Sequence, residues 1–503
     1  MNHAQSRRAF LSGSAATLSA GALLPGFSPI SRAETALDSQ IVQLCPEIEP
    51  LVRLIEDTPR QQLLEEIGQR VRNGLSYREL LAALLLAGVR NVQPRPSVGF
   101  KFHAVLVVHS AHLASLSSSD KDRWLPIFWA LDEFKSSQAR DVREGNWTMA
   151  PVDEAAVPAP EQAHRVFDEA MRHWDEDKAD AAAAGLWRYT GSTDVFESFA
   201  GYAARDFRSI GHKAIFAANA WRTLQTIGWH HAEPVLRSLA YAMLNHNGEP
   251  NPAASDLEAD RPWRQNRDLA SRFRKNWQRG RLDSGATQSL IESFRTDSPF
   301  DAAAAVTEVL NSGMAVQAIF DALHAASGEL LMKQPGIVAL HAVTTTNAIR
   351  YLFDTTGSDE TRRMLLLQNA SFLPMFRDAM KRRGKVGNIT LDVLQSDTID
   401  NADSGIDAIF NNVSSNRLKA ARGVIRYLNG GSDAGELIGA ARRLIFLKGT
   451  DSHDYKFSSA VLEDYYKVSP AFRNQFLAAS VYKLRGSGDR ENGLVDRIRA
   501  ALS

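Results

Sequence analysis

Four histidines stand at comparable places along the chain and are the residues best suited to chemistry. They are His103, His212, His341 and His453. Each follows a glycine-containing turn and a helix-like segment, and another helix-like segment comes after it. The unit recurs at intervals of roughly 110 to 130 residues, as an internal repeat would. Neutral imidazole binds zinc, copper, iron and nickel, and its pKa near neutrality also suits proton transfer.

On a helix, each of these histidines would share a face with mostly apolar or short side chains, because positions i, i+3, i+4 and i+7 point the same way. The faces are Leu106, Val107 and Ser110; Ile215, Phe216 and Asn219; Thr344, Thr345 and Ala348; and Lys456, Phe457 and Ala460. Such faces look inward, so the four histidines are expected to converge if equivalent helices meet around a shared axis. Two interpretations remain open: structural histidines that each bond a backbone carbonyl, or one buried site of metal ligands or acid–base groups.

The segments that must position the histidines are helical almost throughout. Apolar residues recur at three- and four-residue spacing, for example over Arg78–Gly88, Asp194–Arg208 and Asp359–Met380. Strand-like alternation is scarce, and proline and glycine fall mainly between these segments. We therefore predict an all-α fold, a multi-helix domain built from about four helical pseudo-repeats that each carry a histidine-bearing helix.

The N-terminus resembles a twin-arginine export signal. The run Ser6-Arg7-Arg8-Ala9-Phe10-Leu11 matches the motif, an uncharged stretch from Gly13 to Ile30 follows, and Ser31-Arg32-Ala33 offers a cleavage site after Ala33. We expect residues 1–33 to be removed and the protein to use the twin-arginine machinery, which carries folded and often cofactor-loaded proteins. Its location would be periplasmic or extracellular.

The mature chain, residues 34–503, is expected to be one helical repeat domain. If it divides, the division is expected in Asn245–Arg264, giving halves 34–250 and 260–503. No other uncharged run approaches ~18 residues, so we expect no membrane span.

Composition excludes several classes of protein. Lys plus Arg and Asp plus Glu both number 58, so the net charge gives no reason to expect a nucleic-acid partner. The single cysteine, Cys45, excludes an internal disulfide and a cysteine-based zinc site. The basic segment Arg261–Arg281 is interpreted as a solvated helix with packed aromatic residues. No P-loop, dinucleotide-binding glycine motif or nucleophile elbow is present.

Short segments around three of the histidines resemble the questin oxidase-like family. They are Asp451-Ser452-His453-Asp454-Tyr455-Lys456-Phe457, Leu340-His341-Ala342-Val343-Thr344 with Ala348-Ile349-Arg350, and Gly211-His212-Lys213-Ala214-Ile215. The resemblance covers about the last three fifths of the chain. It implies an all-helical fold and a Baeyer–Villiger-type oxidation of aromatic polyketide ketones or quinones, with dioxygen and NADPH. It also implies that His212, His341, His453 and Lys456 are site residues, whereas His103 is added only by the internal repeat.

Two features depart from the family pattern. Export would place the protein where reduced nicotinamide is not normally supplied, and Ser452 stands where an acidic residue is expected. Two hypotheses follow. The first is an exported oxidoreductase with a multi-histidine site for Fe, Cu or Zn and a small-molecule substrate, in which Lys456 stabilises negative charge developing on oxygen. The second is a non-catalytic helical-repeat protein that binds partners on a concave surface and whose histidines are structural.

Overall fold

A computed structural model describes residues 40–94, 100–244, 249–394 and 405–503, and all regular structure in these ranges is helical. The helices are α1 Glu49–Asp57, α2 Arg60–Arg72, α3 Tyr77–Asn91, α4 His103–Leu106, α5 Val108–Leu116, α6 Leu125–Glu144, α7 Ala163–His173, α8 Glu176–Tyr189, α9 Ser192–Ala200, α10 His212–Ile227, α11 Ala232–Leu244, α12 Arg261–Ser271, α13 Ser284–Thr296, α14 Pro299–Asn311, α15 Val316–Lys333, α16 Ile337–Thr355, α17 Asp359–Lys381, α18 Ile406–Ser415, α19 Arg417–Asn429, α20 Ala434–Lys448, α21 Ser452–Asp464, α22 Arg473–Ser480 and α23 Leu494–Leu502. Short 3-10 turns occur at Phe100–Phe102, Pro160–Gln162, Trp229–His231 and Leu391–Leu394. The only β-type pairing within these ranges is an isolated bridge between Arg281 and Met314.

The all-α prediction is confirmed, and two of the three segments chosen from periodicity match helices closely. Helix α3 contains the Arg78–Gly88 segment, and α17 contains Asp359–Met380. The Ser76 hydroxyl caps α3 by accepting a hydrogen bond from the Glu79 backbone, and Glu79 reaches back to the Ser76 backbone. The fourfold repeat stays a prediction.

The third segment, Asp194–Arg208, is a shorter helix than periodicity predicts, because α9 ends at Ala200. Directly beyond that point the backbone forms local turns, as in the bond from the Tyr202 amide to the Phe199 carbonyl, and two groups farther on bond to distant parts of the chain. The Gln368 side chain on α17 donates to the carbonyl of Ala204 at 2.6 Å, and the Phe207 amide donates to the carbonyl of Ala259 at 2.9 Å. These long-range bonds replace the ones that a longer helix would make.

Four helices form a closed ring at the centre of the protein. Helix α5 packs against α10 and α21, and α16 packs against the same two helices. Every residue is buried from Val338 to Ile349 on α16 and from Ser452 to Leu462 on α21. A helix that is buried on all sides must satisfy its polar side chains internally. The interior of this ring is therefore where polar groups are expected to interact.

Residues Ile41–Ser503 form one compact unit. The predicted signal peptide, residues 1–33, lies outside the described residues. The predicted halves of the mature chain stay a prediction. In the part of the chain that the structure describes, no helix combines the length and the apolar character needed to cross a bilayer.

A second buried pair of titratable groups lies between α15 and α21. Nδ1 of His324 is 3.6 Å from Oδ2 of Asp464, and both side chains are fully buried. The other oxygen of Asp464 accepts a hydrogen bond from Nδ2 of Asn347 at 2.8 Å. Burial raises the pKa of Asp464 to about 8 and lowers the pKa of His324 to about 3. Both groups are therefore uncharged at neutral pH.

We predict that Asp464→Asn removes a pH dependence of stability. Between about pH 4 and pH 8 the folded protein holds this carboxyl protonated while the unfolded chain does not, so unfolding releases a proton. Asp464 therefore contributes a fall in the free energy of unfolding of up to ~1.4 kcal/mol per pH unit as the pH rises, whereas His324 contributes a rise below about pH 6.5. Asparagine keeps an acceptor for Asn347 but cannot titrate, so the slope in the variant should be more positive than in the wild type.

Urea unfolding at several pH values measures this slope. Asp120→Asn is a suitable control because that side chain is 93% exposed. A slope in Asp464→Asn equal to that of the wild type would contradict the assignment.

Candidate functional site

The four predicted histidines come together inside the ring of helices. His103 begins α4, His212 begins α10, His341 lies in the second turn of α16 and His453 is the second residue of α21. Nε2 of His212 lies 3.1 Å from Nε2 of His103 and 3.0 Å from Nε2 of His341. The ring of His453 is centred 4.5 Å from that of His103 and 5.3 Å from that of His341. All four side chains are buried.

A glycine permits this close approach. Gly211 precedes α10 with a φ of +84°, in the left-handed region that glycine adopts without strain. A Cβ atom at this position would overlap with Oγ1 of Thr345 on α16. The N-terminus of α10 therefore lies directly against α16, and the rings of His212 and His341 are centred 4.4 Å apart.

Backbone carbonyls fix the tautomers of two of these histidines. Nδ1 of His212 is 2.7 Å from the carbonyl oxygen of Ser209, and Nδ1 of His341 is 2.7 Å from the carbonyl oxygen of Ile337. A carbonyl oxygen can only accept, so each Nδ1 carries the hydrogen and donates it. In the neutral ring the lone pair is then on Nε2, which points into the cluster. These are the bonds that the structural interpretation predicts, and they are also the bonds that orient a metal ligand.

The facing Nε2 atoms of His212 and His341 leave an electrostatic problem. Two neutral rings with hydrogen on Nδ1 present lone pairs to each other across 3.0 Å. Protonation would relieve the repulsion, but burial lowers the pKa of both histidines well below its usual value, and the nearby Lys456 lowers it further. A metal cation would satisfy both lone pairs without requiring either ring to be charged.

The spacing of the nitrogens suits a shared metal ion. Metal–nitrogen bonds of about 2.1 Å place neighbouring ligands roughly 3.0 Å apart in octahedral geometry and roughly 3.4 Å apart in tetrahedral geometry. The observed separations are 3.0 and 3.1 Å. One ring nitrogen from each of His103, His212 and His341 lies within 4.8 Å of the others. His453 adjoins this three-ligand group without belonging to it at that distance.

Asp451 orients His453. Its carboxylate caps α21 by accepting a hydrogen bond from the His453 backbone at 2.7 Å, and Oδ1 also accepts one from Nδ1 at 2.6 Å. Burial acts to raise the pKa of Asp451, but the hydrogen bond and charge of His453 outweigh it and lower the pKa to about 2. Nε2 of His453 has no hydrogen-bond partner among the described residues. Sequence reasoning gave Asp451 no role, although an aspartate directly before a helix is a recognised capping signal.

Lys456 lies one turn beyond His453 and is fully buried. No hydrogen-bond partner for its Nζ occurs within the described ranges. Burial lowers the pKa of Lys456 to about 7, so the amine is near its point of half-protonation at neutral pH. A buried amine in this state can accept a proton or supply a positive charge.

The other histidines in the described ranges do not join the three-ligand group. His230 and His231 lie in the turn before α11, where their rings are centred 3.9 Å apart. His112 bonds to the hydroxyl of Tyr77 at 3.0 Å. The site therefore contains the four histidines that the sequence singled out, with Lys456 beside them.

No family model, curated protein or solved structure matches this chain. The questin oxidase-like resemblance therefore stays a prediction, and the support for the site is the geometry of its side chains.

We predict that Gly211→Ala destabilises the protein more than Gly74→Ala does. Both glycines have positive φ, so both substitutions should cost about 1–2 kcal/mol in backbone strain. A Cβ at Gly74 meets no atom within 4 Å, whereas a Cβ at Gly211 overlaps with Thr345. Thermal unfolding measures the difference between the variants, and equal destabilisation would contradict the close packing of α10 on α16.

Proposed function

We propose that the protein is an exported, metal-dependent oxidoreductase whose centre is formed by His103, His212, His341 and His453. The observation that carries the proposal is the set of facing Nε2 atoms at 3.0 and 3.1 Å, with the hydrogens of His212 and His341 held on Nδ1. Imidazoles with Nδ1 bonded and Nε2 free are the usual metal-ligating form.

The donor set indicates which metals fit. It consists of imidazole nitrogens and contains neither thiolate nor carboxylate, which suits iron, copper or zinc rather than magnesium or calcium. Iron or copper would supply one-electron and oxygen chemistry, and zinc would supply Lewis-acid chemistry. The questin oxidase-like motifs favour a redox metal and oxidation of an aromatic ketone or quinone.

The surrounding residues have distinct roles in this proposal. Asp451 keeps the hydrogen of His453 on Nδ1 and so directs Nε2 into the centre. Lys456, in its protonated form, stabilises negative charge that develops on an oxygen atom of the substrate. Because the protein is proposed to be exported, its electron donor is proposed to differ from the NADPH that the family resemblance implies.

The helical-repeat scaffold is the weaker candidate. A scaffold whose histidines are structural has no need to direct four of them to one place, and an open superhelix would keep them far apart. Here the ring centres of five of the six pairs lie 4.4–6.3 Å apart. Convergence inside the core therefore supports the catalytic proposal.

Elemental analysis of the mature protein, produced by its own export route, tests the metal centre. We expect close to one metal ion per chain in the wild type and loss of the metal in a His212→Ala/His341→Ala variant. The matched control is His164→Ala/His173→Ala, which removes two exposed histidines from α7. Circular dichroism establishes that each variant is folded, and an absorption spectrum separates iron or copper from zinc. Wild-type protein without metal would overturn the proposal.

We further predict that Asp451→Ala weakens metal binding by about 10–100-fold, since partners of metal-bound histidines contribute on that scale. Competition with a chelator measures the affinity. Asp433→Ala is the control, because Asp433 caps α20 in the same way by accepting a hydrogen bond from Gly435 at 2.8 Å. Loss of either cap should cost about 0.5–2 kcal/mol in stability. Equal metal affinity in the two variants would show that Asp451 acts only as a cap.

A further inference from the structure

A polar cavity continues from the histidine cluster along the axis of the helix ring. Three of its walls follow the histidines at helical spacing: Ile215, Asn219 and Arg222 after His212, Thr344 and Ala348 after His341, and Lys456, Ala460 and Glu463 after His453. The fourth wall is α5, with His109, Ser110 and Leu113. The helix faces that carry His212, His341 and His453 at one end therefore enclose this cavity at the other end.

An ion pair lies at the outer end of the cavity. Nη2 of Arg222 is 3.2 Å from Oε2 of Glu463, and the Arg222 guanidinium lies over the ring of Tyr351 with 4.0 Å between the guanidinium carbon and the ring centre. Nδ2 of Asn347 also donates to Glu463, at 3.0 Å. The Arg222 side chain is 7% exposed and that of Glu463 is 30% exposed. Arg222 is thus buried, whereas Glu463 is partly exposed to solvent.

The inner end of the cavity is formed by Lys456, two helical turns before Glu463. Seven residues of helix separate the two ends by about 10 Å, which suits a small organic molecule. On the α5 wall, Nδ1 of His109 is buried and has no partner among the described residues. The walls therefore carry two basic side chains, Lys456 and Arg222, against one carboxylate.

The cavity is closed in this structure. Its volume is only about 10 Å³. That is room for one water-sized molecule. Any larger molecule must displace a wall group, and Glu463 is one of the partly exposed side chains of the wall.

We propose that this cavity is the substrate pocket, that it takes a small molecule with an anionic oxygen group, a carboxylate or a phenolate, and that Arg222 selects for that group. The inference rests on the proposed function, because the pocket leads to the histidine centre. An incoming anion replaces Glu463 as the partner of Arg222, and Glu463 swings into solvent. The planar guanidinium can exchange one oxygen anion for another with little loss of hydrogen bonding. The rest of the substrate then extends past Ser459 toward Lys456.

Binding of benzoate, with neutral benzamide as its isostere, tests the pocket by isothermal titration calorimetry on the mature protein. In Arg222→Gln we expect benzoate affinity to fall at least tenfold, because the cation that receives the anion is removed. In Glu463→Gln we expect benzoate to bind several-fold more tightly than in the wild type, because the competing carboxylate is gone. The affinity for benzamide should be the same in the wild type and in both variants.

The control is Arg165→Gln, which removes an arginine from an exposed pair with Glu169 and should leave benzoate affinity unchanged. The tighter benzoate binding expected in Glu463→Gln controls for misfolding, since a misfolded protein would not bind more tightly. Equal benzoate affinity in wild type and Arg222→Gln would overturn the proposal, as would absence of binding in both wild type and Glu463→Gln.

Metal content measured on the same samples separates this inference from the proposed function. Arg222→Gln should keep its metal, because Arg222 lies ten residues beyond His212. Arg222-dependent benzoate binding in protein without metal would support the pocket and overturn the metal centre. Metal-loaded wild-type and Arg222→Gln proteins that bind benzoate with equal affinity would overturn the pocket alone.

Discussion

The central constraint in this protein is the placement of imidazole nitrogens against one another inside an apolar core. Nδ1 of His212 and of His341 is bonded to a backbone carbonyl, which leaves the two Nε2 lone pairs face to face. Burial opposes the protonation that would relieve this contact. The closed ring of α5, α10, α16 and α21, the glycine at position 211 and the carboxylate of Asp451 all serve this arrangement. Each of these features brings an imidazole into the cluster or holds its orientation.

The buried titratable groups at the centre differ in their hydrogen-bond partners from buried charges elsewhere in the protein. Several buried charges elsewhere are paired with an opposite charge, as with Lys213 and Asp206 at 2.5 Å, or Arg90 with Glu49 and Glu56. Pairing is the ordinary way to keep a charge in a core. Lys456 and Nε2 of His453 have no such partner in the described ranges. These two groups lie one helical turn apart beside the facing imidazoles, so a ligand bound there would satisfy both.

Much of this site could be predicted from the sequence, since helical periodicity and matched histidine positions depend on local patterns. Convergence of the four histidines followed from their inward faces, and the bounds of α3 and α17 followed from apolar spacing. Other features depend on residues far apart in the chain. The chain after helix α9 contacts Gln368, which donates to the carbonyl of Ala204 from 164 residues farther along, and Gly211 matters because Thr345 lies against it. The role of Asp451 was not predicted, because it depends both on where α21 begins and on a contact with the His453 side chain.

The four histidines span positions 103 to 453, which is most of the chain, and this has a consequence for folding. A contact between residues this far apart forms only after a large loop has closed, and such contacts come late and at high entropic cost. The centre therefore cannot exist in a partly synthesised chain, because α21 is needed to close it. An ion held there would stabilise the folded chain, because its ligands come from distant segments that meet only when the chain has folded. Occupancy of the centre would then report that folding had been completed.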